Sequence, residues 1–132
     1  MGRYVTTLAN EGTSFQLSLI DRIGEAAKEP ETESRIDLPE EVWDNVHAGM
    51  EQYAQSTGSF DGLEKSAAGK SGTAQESAKR PDHALFVGYA PAQDPEVAVA
   101  VRIVNGYAAG ASVECAVSIF NEYFTMASDR SS

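Results

Sequence analysis

Two apolar runs on either side of a short turn constrain the fold of this chain more than any other feature. Residues 83–90 read His-Ala-Leu-Phe-Val-Gly-Tyr-Ala and residues 96–104 read Glu-Val-Ala-Val-Ala-Val-Arg-Ile-Val, with Pro91-Ala92-Gln93-Asp94-Pro95 between them. β-Branched and aromatic side chains favour extended backbone and the Pro/Asp segment reverses it, so the pair predicts an antiparallel hairpin. Val97 to Val101 carries no large polar side chain, which predicts a central strand covered on both faces. A helix is expected from about Ala111 to Met126, where Val113, Ala116, Val117, Phe120, Tyr123 and Phe124 form an apolar stripe broad enough to cover a sheet. The polar tail, 127–132, is expected to fray. The fold class that follows is α+β: an antiparallel sheet backed by a C-terminal helix.

Upstream of the hairpin the signals are shorter. Residues 1–10 read as the tail of a helix, with Tyr4, Val5 and Leu8 on one face and Asn10-Glu11-Gly12 as its stop. Phe15, Leu17 and Leu19 alternate, predicting a strand over 14–23, and the charged stretch 24–35 reads as a solvated loop or as two edge strands joined by a turn. From Pro39 the pattern turns helical. Glu40 and Glu41 suit the positive end of a helix, and Val42, Trp43, Val46, Met50 and Tyr53 share a face until Gly58 to Gly62 ends it. Residues 64–78 are rich in Ser, Ala, Gly and Lys, and by composition alone they read as a flexible loop.

The 132 residues suit one domain, and 42% hydrophobic content is enough for a modest core. A net charge of -10 with no opposing basic cluster argues against a nucleic-acid partner, because the phosphate backbone would be repelled. The single cysteine, Cys115, rules out an internal disulfide and a cysteine-based metal site, and it is expected to be a small buried or half-buried side chain. The acidic stretch Glu25 to Glu33 lacks the glycine-bearing calcium-loop pattern and reads as solvated surface, so no metal and no cofactor is expected. His47 and His83 have no partner at ligand spacing and read as structural histidines. No run approaches the roughly 20 apolar residues that span a bilayer, and Met1-Gly2-Arg3-Tyr4 lacks the apolar core of an export signal.

The segment Gly69-Lys70-Ser71-Gly72-Thr73-Ala74-Gln75 resembles the Lys-Thr/Ser-Gly motif of penicillin-binding proteins and serine β-lactamases. Asp82-His83-Ala84-Leu85-Phe86-Val87-Gly88-Tyr89-Ala90-Pro91 looks like the strand that follows that motif in penicillin-binding proteins, and the 96–104 strand and last helix come in the family's order. Arg3 to Thr13 is similar to a family segment ending in Ala-Asn-Gly-Gly-Thr, with Glu11 in place of the first glycine. Trp43 and the pair Gly49-Met50 also sit where such proteins keep a Trp and a Gly-Met pair. The resemblance spans nearly the whole chain and favours the class B, division or elongation type. It turns the 64–76 region from a loop into a strand of the sheet.

The resemblance implies a chemistry and also a gap in it. In the family a serine from a Ser-x-x-Lys motif, with a Ser-x-Asn motif beside it, attacks a D-alanyl-D-alanine peptide and forms an acyl-enzyme. Neither motif can be found here: Ser77-Ala78-Lys79 has the wrong spacing, and Ser66 and Lys70 are one residue too far apart. By resemblance, Lys70 supplies positive charge near the serine and the substrate's terminal carboxylate. Ser71 and Thr73 offer hydroxyls to that carboxylate, and Gln75 completes the substrate-binding set. Gly72 lets substrate backbone lie close to the strand, and the Thr73 amide gives one half of an oxyanion hole. The chain is therefore expected to be the C-terminal part, 1–132, of a transpeptidase domain that is inactive by itself. Its expected partners are the missing N-terminal half, a peptidoglycan stem peptide or β-lactam bound through the parent domain, and a second copy through surface left uncovered. The parent protein is expected to be membrane-anchored and extracytoplasmic, although this stretch carries no signal or span. The rival readings are a non-catalytic docking domain for a cell-wall synthesis protein and, less well matched, a fragment of a serine β-lactamase.

Overall fold

In a computed structural model, which describes residues 1–130, the chain folds around a three-stranded antiparallel sheet with helices on both faces. The element order is α1 (Gly2–Ala9), β1 (Thr13–Phe15), β2 (Arg22–Ile23), β3 (Ala26–Ala27), β4 (Thr32–Arg35), α2 (Glu40–Thr57), β5 (Ala68–Ala74), β6 (His83–Ala90), β7 (Val97–Ile103) and α3 (Gly110–Arg130). The fold class is as expected. The predicted hairpin is β6 and β7, in register from Ala84↔Ile103 to Ala90↔Val97, and β5 pairs with the other side of β6. This order, β5-β6-β7, makes β6 the middle strand and corrects the expectation for Val97–Val101. Only one face of β7 is large and apolar: Val99 and Val101 are buried, while Ala100 on the other face is exposed.

The alternation of β6 divides the core in two, because successive side chains leave opposite faces. Phe86 and Ala90, with Val99 and Val101 of β7, meet Val113, Ala116, Phe120 and Phe124 of α3, and Phe60 and Ala54 close one end of this layer. Tyr89 points the other way, into a smaller cluster with Val5 of α1, Met50 of α2, Ala68 and Ala92. In α3 the buried set 113, 116, 120, 124 recurs every three or four residues, which leaves Cys115 outward. Cys115 is exposed, against expectation, and Tyr123 stands at the edge of the stripe with its ring across that of Phe124. The helix also continues to Arg130, through residues expected to fray; Ser131 and Ser132 lie outside the described residues.

The arm between α1 and α2 departs furthest from expectation. The strand predicted over 14–23 stops at Phe15, where its antiparallel partner β4 shifts register between Ser14 and Phe15. Beyond that shift the pairing ends with the Gln16 N–H on the Glu31 carbonyl at 2.8 Å, and Leu17, Leu19 and Ile20 remain exposed. The last two residues of that predicted span form β2, whose hairpin partner β3 lies in the charged stretch; β4 follows there and pairs with β1, so 24–35 holds two short edge strands, close to the second alternative. The predicted stops of α1 and α2 hold. Gly58 caps α2 in the left-handed conformation at φ 67°, and Glu11 and Gly12 follow α1 at φ 48° and 91°. A side chain on Gly12 would overlap the Ile36 carbonyl and the Trp43 ring, so this glycine packs α1, the arm and α2 together.

Candidate functional site

β5 has a sequence no propensity scale would make a strand: Ala-Gly-Lys-Ser-Gly-Thr-Ala. It is extended because β6 offers it an unbroken ladder, from Ala68↔Tyr89 to Ala74↔His83. Its glycines serve that pairing unequally. Gly69 lies opposite Gly88, and a Cβ on either would overlap the Phe86 ring. The ring therefore lies flat across two hydrogen-only positions and stacks on Phe60 at 5.7 Å between centroids. Gly72 is different: a Cβ there would meet only Leu85, at 3.8 Å, an ordinary van der Waals distance. Nothing inside the described chain requires Gly72 to lack a side chain.

By the register, Lys70 and Gly72 share the sheet face of Val87 and Leu85, while Ser71 and Thr73 share that of Phe86 and Ala84. On the first face lies a concavity of about 580 Å³, walled by Tyr4 and Leu8 of α1, Val46 and Met50 of α2, and the β5–β6 surface including Lys70 and Gly72. Lys70 is the sole charged side chain on its wall among the described residues. The Lys70 ammonium donates to the Ser71 carbonyl at 2.9 Å and sits 4.5 Å from the centre of the Tyr53 ring. A cation over an exposed aromatic face is worth about 0.5–1 kcal/mol, enough to park the side chain but not to bury it. Of the sequence-predicted residues, Lys70, Ser71 and Gly72 border the concavity, whereas Thr73 and Gln75 are exposed beyond it, Gln75 one residue past the strand.

Two polar arrangements near the site escaped sequence reading. Tyr89 is fully buried against the edge of the His47 ring, and its hydroxyl has no hydrogen-bond partner among the described residues. Burial, with a smaller contribution from the Glu51 carboxylate, pushes this hydroxyl up to about 12. His47 itself is held through Nε2 at 2.8 Å from the Leu8 carbonyl, tying α2 to α1. Just past β5, Glu76 meets His83 at 2.6 Å; the hydrogen bond from His83, with the pull of that ring and of Arg102, holds the carboxyl below its ordinary value. Glu51 and Glu76 lie at helix and loop positions whose spacing to β5 and β6 exists only after folding, so no local pattern marks them, and the helical pattern placed Tyr53 on an apolar face without its contact to Lys70.

The glycine-bearing edge strand, its flanking lysine and the order of the three strands and last helix can be set beside known proteins. The family model described as "Penicillin binding protein transpeptidase domain" matches residues 1–125. The chain belongs to the penicillin-binding protein transpeptidase domain family. Similar members include the peptidoglycan D,D-transpeptidase PbpA of Mycolicibacterium smegmatis, 32% identical over 111 residues that cover 76% of this chain and 22% of that protein. Among solved structures, penicillin-binding protein PBP2 of Pseudomonas aeruginosa in complex with WCK 5153 superposes with a TM-score of 0.72 at 34% identity, over 90% of this chain and 27% of that one. Penicillin-binding protein A of M. tuberculosis, as an imipenem acyl-enzyme complex, superposes with a TM-score of 0.67 at 30% identity, over 88% of this chain and 28% of that one. The chain thus spans about a quarter of the length of these penicillin-binding proteins. No helix among the described residues is long and apolar enough to cross a membrane.

Proposed function

We propose that this chain is the substrate-strand part of a peptidoglycan D,D-transpeptidase, presenting Lys70, Ser71, Gly72, Thr73 and Gln75 to the terminal carboxylate of a stem peptide or of a β-lactam. The observation that carries this reading is Gly72. Gly69 and Gly88 lack side chains for the sake of Phe86, but no internal contact accounts for Gly72, and close approach of an extended ligand does. The geometry around it suits that role. Among the described residues β5 has a strand neighbour on one side only, Lys70 brings the cation, and Ser71 and Thr73 bring hydroxyls on adjacent turns of the pleat. The Thr73 amide serves as one oxyanion donor; losing one such donor costs about 2.7–4 kcal/mol of transition-state stabilisation.

The sequence holds no Ser-x-x-Lys and no Ser-x-Asn, so the nucleophile must come from another part of the transpeptidase domain. That part has a place to dock: the apolar concavity between α1, α2 and the β5–β6 face, with Lys70 beside it. The expected result is no fluorescent penicillin adduct surviving denaturation on this chain by itself, and an adduct once a segment bearing the two serine motifs is supplied. An adduct on the isolated chain would overturn the reading.

The alternative, a non-catalytic module docking to a cell-wall synthesis protein, draws on the same concavity and on the exposed Leu17, Leu19, Ile20 and Ile23 of the arm. Surface of this kind also favours a second copy when nothing else covers it. Sedimentation velocity of the isolated chain is expected to show self-association that rises with concentration; a clean monomer counts against it.

A further inference from the structure

Among the buried polar side chains that the site described above does not use, His83 stands at the junction of two loops. His83 opens β6 and is 5% exposed. Its Nδ1 accepts the Asn105 amide N–H at 3.1 Å, which places the ring proton on Nε2, and Nε2–H donates to the Glu76 carboxylate at 2.6 Å. Glu76 belongs to the loop from β5 to β6, and Asn105 to the turn from β7 to α3. One imidazole therefore bridges two segments far apart in the chain.

The turn it holds is strained. Asn105 and Tyr107 both adopt left-handed backbone, at φ 55° and 63°, and a Cβ on Gly106 between them would crowd Ala84 at 2.8 Å. Asparagine tolerates that region, but a tyrosine persists there only where its surroundings fix it. Here the fixing bonds converge on the start of β6: Asn105 N–H on the His83 ring, and Tyr107 N–H on the Asp82 carbonyl at 3.1 Å. On the other side, Ala74 ends β5 directly opposite His83, and Glu76 follows two residues later. Holding the Glu76 carboxylate fixes the direction in which the chain leaves the strand bearing Ser71 and Thr73.

We propose that His83 is a positioning residue that couples the β5–β6 loop to the β7–α3 turn and so fixes the end of the Lys-Ser-Gly-Thr strand. Its bearing on substrate rests on the proposed function, but the coupling itself does not.

The test uses Glu76, whose side chain is 67% exposed and can be changed without touching the core. In Glu76→Ala, amide hydrogen exchange by NMR is expected to quicken at Asn105 and Tyr107 as well as in 75–82, by roughly threefold or more. In Glu76→Gln, which keeps an oxygen acceptor, the exchange at Asn105 and Tyr107 is expected to return toward the native rates. Nitrogen-15 spectra of the imidazole are expected to show a protonated Nε2 and a bare Nδ1 in the native chain. Exchange that changes only within 75–82, a Gln variant no better than Ala, or a native ring protonated at Nδ1 would each overturn the proposal. Coupled exchange together with unaltered penicillin acylation of the Glu76→Ala chain, once the serine segment is supplied, supports the coupling and counts instead against the role given to Thr73.

Discussion

At Gly69 an added methyl group would run into the Phe86 ring, whereas at Gly72 it would rest against Leu85 at an ordinary distance. Two glycines three residues apart in one strand are thus predicted to respond oppositely to the same substitution. Gly69→Ala is expected to lower stability by about 1–3 kcal/mol, because Phe86 is fully buried and its ring cannot move without disturbing Phe60. Gly72→Ala is expected to change it by less than about 0.5 kcal/mol while abolishing ligand approach at the strand. Chemical denaturation of the two variants checks the first half, and penicillin acylation of the domain with its serine segment supplied checks the second. A Gly72→Ala chain as unstable as Gly69→Ala would remove the main support for the proposed function. Glu11 belongs to the same scale. It occupies a left-handed position where the family's segment has glycine, so the departure noted in the sequence falls on a backbone conformation that disfavours any side chain.

Among the elements, legibility followed the size of the side chains and the locality of the contacts. β6, β7 and α3 were legible because their buried positions are Phe, Tyr and Val at strand or helix spacing, and this pattern survives without knowledge of the partner. β5 was not, since Ala68 to Ala74 contains no large apolar side chain, and its extended form is imposed by β6. Only the motif resemblance revealed it. The overextended strand at 14–23 failed for the converse reason. Its alternation was present, but the partner β4 is four residues long and shifts register at Phe15, so Leu17 and Leu19 stay exposed. The lining of the concavity was half visible: Lys70 and Gly72 come from the motif, while Tyr4, Val46, Met50 and Val87 arrive from three other elements by tertiary packing. Cys115 was misplaced because its burial was read from residue type and not from helical phase: one position before the buried Ala116, it lies about 100° around the axis and is exposed.

For the molecule as a whole, Tyr89 links stability to alkaline pH. Its hydroxyl titrates near 12 in the folded chain against 10 for an exposed tyrosine, so the folded state keeps its proton over a range in which the unfolded state loses it. The stability contributed by the neutral form is complete below pH 10 and is lost as the pH rises toward 12. Tyr89→Phe is expected to flatten that decline and, by removing a buried hydroxyl without a partner, to raise stability at neutral pH by about 1 kcal/mol. Urea denaturation of both chains at several pH values between 8 and 12 checks it, and equal slopes would contradict the assignment. The open side of β5 has a further consequence at this scale. A strand with one free edge is a template for other strands, and proteins commonly blunt such edges with a lysine or with residues that pack poorly. Lys70 stands near the middle of β5, with Gly69 before it and Gly72 two residues on, so the features on which the proposed ligand role rests would also make the edge a poor seed for fibrous aggregation.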